Sequence, residues 1–122
     1  DRGVEVACKA TGALVSEYTA APIYMNDEAR GGHEWVIEFE RAPEDLDAFI
    51  RSMDNAIREV NSDYDAKRTG DMALRMPVVH AVPSGTFHQW MKQRGKLGGQ
   101  NKVPRLSNER EHLDAVLAAL IA

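Results

Sequence analysis

Apolar and polar positions alternate along the chain in ways that mark out its elements. Val4, Ala7 and Cys8 recur at helical spacing and predict a short helix over residues 3–11. Residues 13–25 (ALVSEYTAAPIYM) alternate in part and are rich in strand formers, with Pro22 marking an edge or a bulge. Residues 34–40 (EWVIEFE) alternate strictly: Trp35, Ile37 and Phe39 share one face, while Glu34, Val36, Glu38 and Glu40 share the other. Asn26 to Gly32, opening on Asn-Asp and closing on two glycines, reads as the turn that pairs these strands antiparallel. Leu46, Phe49, Ile50, Met53, Ile57 and Val60 then recur at steps of three and four, an amphipathic helix with its stripe toward the core. Pro43 is expected at the first position of that helix, with Glu44 and Asp45 in its first turn.

The polar run Asn61–Arg68 adds a further helical turn or two, broken by Gly70 and Asp71. Residues 72–82 read as a strand whose buried half is Val78 to Val82 and which Pro83 ends. Ser84 or Thr86 is expected to cap a helix over residues 87–94, with Phe87, Trp90 and Met91 inward and Gly95 just past its end. Ser107 is expected to cap a last helix whose inner stripe is Leu113, Val116, Leu117, Leu120 and Ile121. The sum is an α+β fold, a small mixed β-sheet of three or four strands with an antiparallel pair, flanked by α-helices, in a single domain over residues 1–122.

Composition changes this picture little. With 43% hydrophobic and 28% charged residues, the chain has enough apolar content for one packed core. Its single cysteine, Cys8, excludes an internal disulfide and suits a reducing, cytoplasmic compartment. No apolar run approaches membrane-spanning length. The chain starts at Asp1 without a methionine, which reads as part of something longer.

Charge changes it more. Residues 92–110 (KQRGKLGGQNKVPRLSNER) hold six of the fifteen basic residues and one acid, Glu109, so a segment of +5 sits on a body of −9. The middle of that segment is glycine-rich and apolar-poor, and Pro104 disfavours helix at Val103, so it reads as a loop. Gly98 and Gly99 allow close backbone approach to a ligand, and Lys96 and Lys102 supply cations for phosphate or carboxylate. The order of a P-loop is absent. No aromatic residue is interleaved with the charges, which, with a net charge of −4, argues against nucleic acid. The four histidines, His33, His80, His88 and His112, fall at no metal-ligand spacing. Asn61, Asp63 and Asp65 imitate the start of a calcium loop, but Ala66 and Met72 stand where its glycine and glutamate belong, so no metal site is expected. From the residues alone, the basic loop is open to two readings: a solvated loop, or the contact of a free-standing module with a small anion or partner.

Four stretches carry a resemblance: HEWVIEFE at 33–40, NSDYDAKR at 61–68, MPVVHAVPSGTFHQWM at 76–91 and GKLGGQNKVPRLSN at 95–108. Together, and in this order, they resemble the C-terminal domain of the auxin-responsive Gretchen Hagen family, in a form similar to its bacterial members. The resemblance implies an acyl acid amido synthetase that uses ATP and magnesium to adenylate a carboxylic acid and then joins it to an amino acid. It implies a large N-terminal domain, absent from this chain, that holds acid, nucleotide and magnesium, with this small domain closing over it. The isolated chain is then expected to be inactive. Lys102 matches the lysine of the family's Gln-x-Lys-x-Pro-Arg signature and is the expected catalytic contribution. Gly98, Gly99, Gln100 and Arg105 are the expected nucleotide-side residues of the same loop, with Pro104 shaping it. Tyr64 and Arg68 fall in the second matched stretch, where a structural or a domain-interface role is implied.

Overall fold

In the computed structural model, residues 2–23, 31–69, 74–93 and 111–121 are described. Helix α1 (Arg2–Thr11) buries Val4 and Ala7 and ends where Gly12 takes a left-handed φ of 73°. That conformation favours glycine and lets the Gly12 N–H close on the Cys8 carbonyl at 2.8 Å. Strands β1 (Leu14–Ile23) and β2 (Gly32–Arg41) pair antiparallel, with Tyr18 opposite Ile37 and Pro22 opposite His33. The sheet order is β1-β2-β3, so β1 is an edge and its Pro22 is accommodated there, as expected. Gly31 and Gly32 belong to the sheet and not to the turn: Gly32 pairs with Ile23, and Gly31 bridges Leu74.

Helix α2 (Leu46–Val60) starts later than the position of Pro43 suggests. Its N-cap is Asp45, whose carboxylate accepts the Ala48 N–H at 3.2 Å, so Pro43 and Glu44 precede the helix. Asn61 then serves two helices at once. Its N–H donates to the Ile57 carbonyl at 3.0 Å to end α2, and its side chain accepts from Tyr64 N at 3.0 Å to begin α3 (Ser62–Arg68). The strand expected over residues 72–82 is shorter. Only β3 (Val78–Val82) runs continuously, Leu74 making an isolated bridge before Pro77, which has no N–H to give a ladder. β3 joins β2 in parallel, from Glu34 opposite Val78 to Glu38 opposite Val82, with α2 and α3 forming the crossover.

Helices α4 (Thr86–Gln93) and α5 (Glu111–Ile121) complete three layers. On one face of the sheet Trp35, Ile37 and Phe39 pack with Val4 and Ala7 of α1 and Phe49 and Met53 of α2. Phe39 and Phe49 meet edge to face at 5.2 Å. On the other face Val36 and Val82 pack with Phe87 and Trp90 of α4 and Leu113 and Val116 of α5. The central strand is therefore covered on both sides, including the face that carries Glu34, Val36 and Glu38. Leu117 packs against this second cluster as expected, whereas the side chains of Met91, Leu120 and Ile121 and the expected cap Ser107 lie outside the described residues.

Candidate functional site

Gly98, Gly99, Gln100, Lys102 and Arg105, together with Lys96, Asn101 and Pro104, lie outside the described residues. What is described is the anchoring of the two ends. α4 and α5, which precede and follow residues 94–110, pack on the same Val36–Val82 face of the sheet. The start of α4 is tied to that sheet by Glu38. This glutamate of β2 is 6% exposed, and its Oε1 accepts the Phe87 N–H at 2.8 Å while its Oε2 accepts from Ser16 Oγ at 2.5 Å. A carboxylate at the first turn of a helix satisfies an orphan donor and complements the positive end of the dipole. Thr86, one of the two expected caps, instead donates its hydroxyl to the Pro83 carbonyl at 2.7 Å. Trp90 is buried against Phe87, so it is not offered to a ligand beside the basic segment.

A second constellation was only half legible. Tyr64 and Arg68, one helical turn apart on α3, both turn inward to Asp54 of α2. Arg68 makes a forked pair, Nε and Nη2 each 2.8 Å from an Asp54 oxygen, and Tyr64 donates its hydroxyl to Asp54 Oδ1 at 2.6 Å. All three are buried. Arg68 also donates to the Leu74 carbonyl at 3.3 Å, so the triad ties α2, α3 and the approach to β3 together. Burial pushes the Asp54 carboxyl up, but the hydrogen bonds from Arg68 and Tyr64 and the nearby guanidinium charge outweigh it and hold the group below its ordinary range. Burial and the Asp54 charge push the Tyr64 phenol well above its usual value. With its carboxylate, guanidinium and hydroxyl bonded to one another inside the fold, the triad is a structural clamp. Asp54 escaped sequence reading because its partners lie across a helix junction.

Beside the triad, a cavity of about 400 Å3 opens between the α2–α3 junction and the beginning of β2. His33, Trp35 and Tyr64 give it aromatic walls, and Asn61, Asp63 and Lys67 stand around it. Burial and the charge of Lys67 lower the His33 pKa, which keeps the imidazole neutral near about pH 7. The calcium-like trio is committed elsewhere: Asn61 caps α3, Asp63 pairs with Lys67 at 3.0 Å, and Asp65 pairs with Arg58 at 2.6 Å. Among the described residues no three His, Cys, Asp or Glu side chains gather as metal ligands, and no helix is long and apolar enough to cross a membrane. His80 of β3 pairs with Glu34 of β2 at 2.6 Å on the α4–α5 face.

The chain belongs to the GH3 family: that family's C-terminal domain matches residues 1–111. Two solved structures are similar to it in fold. The GH3.15 acyl acid amido synthetase superposes with a TM-score of 0.68 at 16% identity, over 97% of this chain and 23% of that one. The AtGH3.15 acyl acid amido synthetase in complex with 2,4-DB gives a TM-score of 0.71 at 16% identity, over 95% of this chain and 22% of that one. The chain thus spans less than a quarter of the length of these structures. No curated protein matches it.

Proposed function

We propose that this chain is the C-terminal domain of an ATP-dependent acyl acid amido synthetase, working on substrates held by an N-terminal domain of the same polypeptide. The single observation that carries the reading is the family match across residues 1–111, which takes in the whole GKLGGQNKVPRLSN segment. The fold likeness to two structures of a GH3.15 acyl acid amido synthetase supports it. In the reaction, an oxygen of the acid's carboxylate attacks the α-phosphorus of ATP and pyrophosphate leaves. The amino acid's amine then attacks the acyl carbon, loses a proton, and AMP leaves with the carboxylate oxygen.

The part of this chain is charge. Bringing a carboxylate onto a phosphate concentrates negative charge, and a positioned ammonium stabilises it most as that charge develops. Lys102 is that ammonium, Arg105 adds a second cation, and Gly98, Gly99 and Gln100 offer backbone and amide donors. The donor set suits phosphate oxygens. Magnesium takes oxygen ligands, and residues 95–105 contain no carboxylate, so the metal falls to the N-terminal domain. A lone cysteine, half-buried with its thiol pKa raised by burial, suits a reducing compartment such as the cytoplasm. The test is acid-dependent pyrophosphate release by the complete enzyme. Lys102→Ala is expected to lower it by about 10²–10³-fold, and an unchanged rate refutes the assignment.

A further inference from the structure

Arg75 stands between the isolated bridge at Leu74 and the start of β3, and the reaction above does not use it. Its N–H donates to the Gly31 carbonyl at 3.0 Å, which fixes its backbone beside β2. Its side chain then lies across Gly32. A Cβ at Gly32 would meet Arg75 Cγ at 3.0 Å and Nε at 3.3 Å, so only a glycine lets the arginine lie this close. Trp35, Ile37 and Phe39 face α1 and α2, while Val36 faces α4 and α5. By the same alternation Gly32, with the arginine over it, belongs to the α4–α5 face.

Arg75 lacks a counter-charge there. Of the acids that follow Gly32 along that face of β2, Glu34 pairs with His80 at 2.6 Å, and Glu38 accepts the Phe87 N–H and the Ser16 hydroxyl. Among the described residues the Arg75 guanidinium has no hydrogen bond and no ion pair. Of its nitrogens only Nε is buried, so the two terminal ones keep access to solvent and offer an end-on fork. A half-buried guanidinium has lost part of its hydration, and without a counter-charge it favours an anion.

Geometry and charge decide which anion. Two parallel N–H donors match the two oxygens of a carboxylate. One positive charge balances one carboxylate, whereas a phosphate group brings about two negative charges. A single fork is too little for a freely diffusing acid, which loses its translational freedom on binding. It suffices for a group tethered to the same polypeptide, whose effective concentration is about millimolar.

We propose that Arg75 is an interdomain latch, its guanidinium pairing end-on with an Asp or Glu side chain of the N-terminal domain when the domains close. This rests on the reading of the chain as one domain of a larger synthetase. In that reading the segment carrying Lys102 reaches the N-terminal domain, and α4 and α5, which flank it, share their face of the sheet with Arg75.

The test is carbodiimide coupling of the complete polypeptide carrying Arg75→Lys, with ATP and magnesium present, followed by peptide mass spectrometry. The expected product is an amide between position 75 and an Asp or Glu outside residues 1–122. A link only to acids within residues 1–122, or no link, overturns the proposal. Arg75→Gln is expected to lower acid-dependent pyrophosphate release by about tenfold, and Arg75→Lys to recover most of it. Because the side chain has no bond inside the domain, urea unfolding of Arg75→Gln should match the parent. A parental rate in Arg75→Gln, or a loss explained by lower stability, overturns the latch. The enzyme reading is judged separately, by pyrophosphate release in the parent: with that release present, a failure at position 75 removes only the latch.

Discussion

Asp54 is where one side chain carries most. Removing its charge takes away the carboxylate that balances the buried Arg68 guanidinium, so Asp54→Asn is expected to cost about 3–5 kcal/mol in urea unfolding near neutral pH. The pH dependence has a definite sign. Because the folded carboxyl titrates below its ordinary value of 3.8, its stabilisation is complete above that pH and is lost as pH falls through the folded value. Unfolding between about pH 4 and pH 2 should therefore be steeper for the parent than for Asp54→Asn. Tyr64 acts at the other end. Its phenol is raised above 10.0, so its contribution is intact below that pH and fades as pH climbs through the folded value. Tyr64→Phe is expected to cost about 1.5–3 kcal/mol and to abolish that alkaline loss, both measurable by the same denaturation series. Of this triad, Tyr64 and Arg68 stood out in sequence only because they fall in the second stretch that resembles the family. Asp54 did not, since an acid beside an apolar stripe usually faces water.

Among the elements, α4 shows how a short helix is held. It spans Thr86–Gln93, too short to be stable alone, and its first turn depends on a glutamate from the middle of β2. Glu38→Ala is expected to cost about 1–2 kcal/mol, and to raise amide exchange at residues 87–89 more than in α2. If exchange there is unchanged, Glu38 is not the cap that matters. On the opposite face, Phe49 and Met53 are fully buried under the sheet, and Phe49→Ala is expected to cost about 3–5 kcal/mol through the cavity it leaves. The strict alternation of residues 34–40 correctly placed Trp35, Ile37 and Phe39 together. The same alternation hid Glu38, because a buried acid and a solvated one look alike until the helix that covers them is known.

Over the whole molecule, the two helical layers divide the work. α1, α2 and α3 build one packed face and its triad, while α4 and α5, which flank residues 94–110, pack on the other. The reading as one domain of a larger synthetase predicts that the 122-residue chain alone releases no pyrophosphate from ATP with any acid, and that activity requires the N-terminal domain. Turnover by the isolated chain would refute that division of labour.

Sequence alone determined which stretches become helix or strand, which side of each is apolar, where positive charge concentrates, and which family the chain resembles. These are properties of neighbours: period, capping residue and local composition are all written within a few positions. The tertiary structure decided the rest, namely the parallel pairing of β3, the second cover over β2, the reach of Glu38 to Phe87, and the fork between Arg68 and Asp54. Each joins residues far apart along the chain, and their meeting depends on how whole layers pack, which no local period encodes.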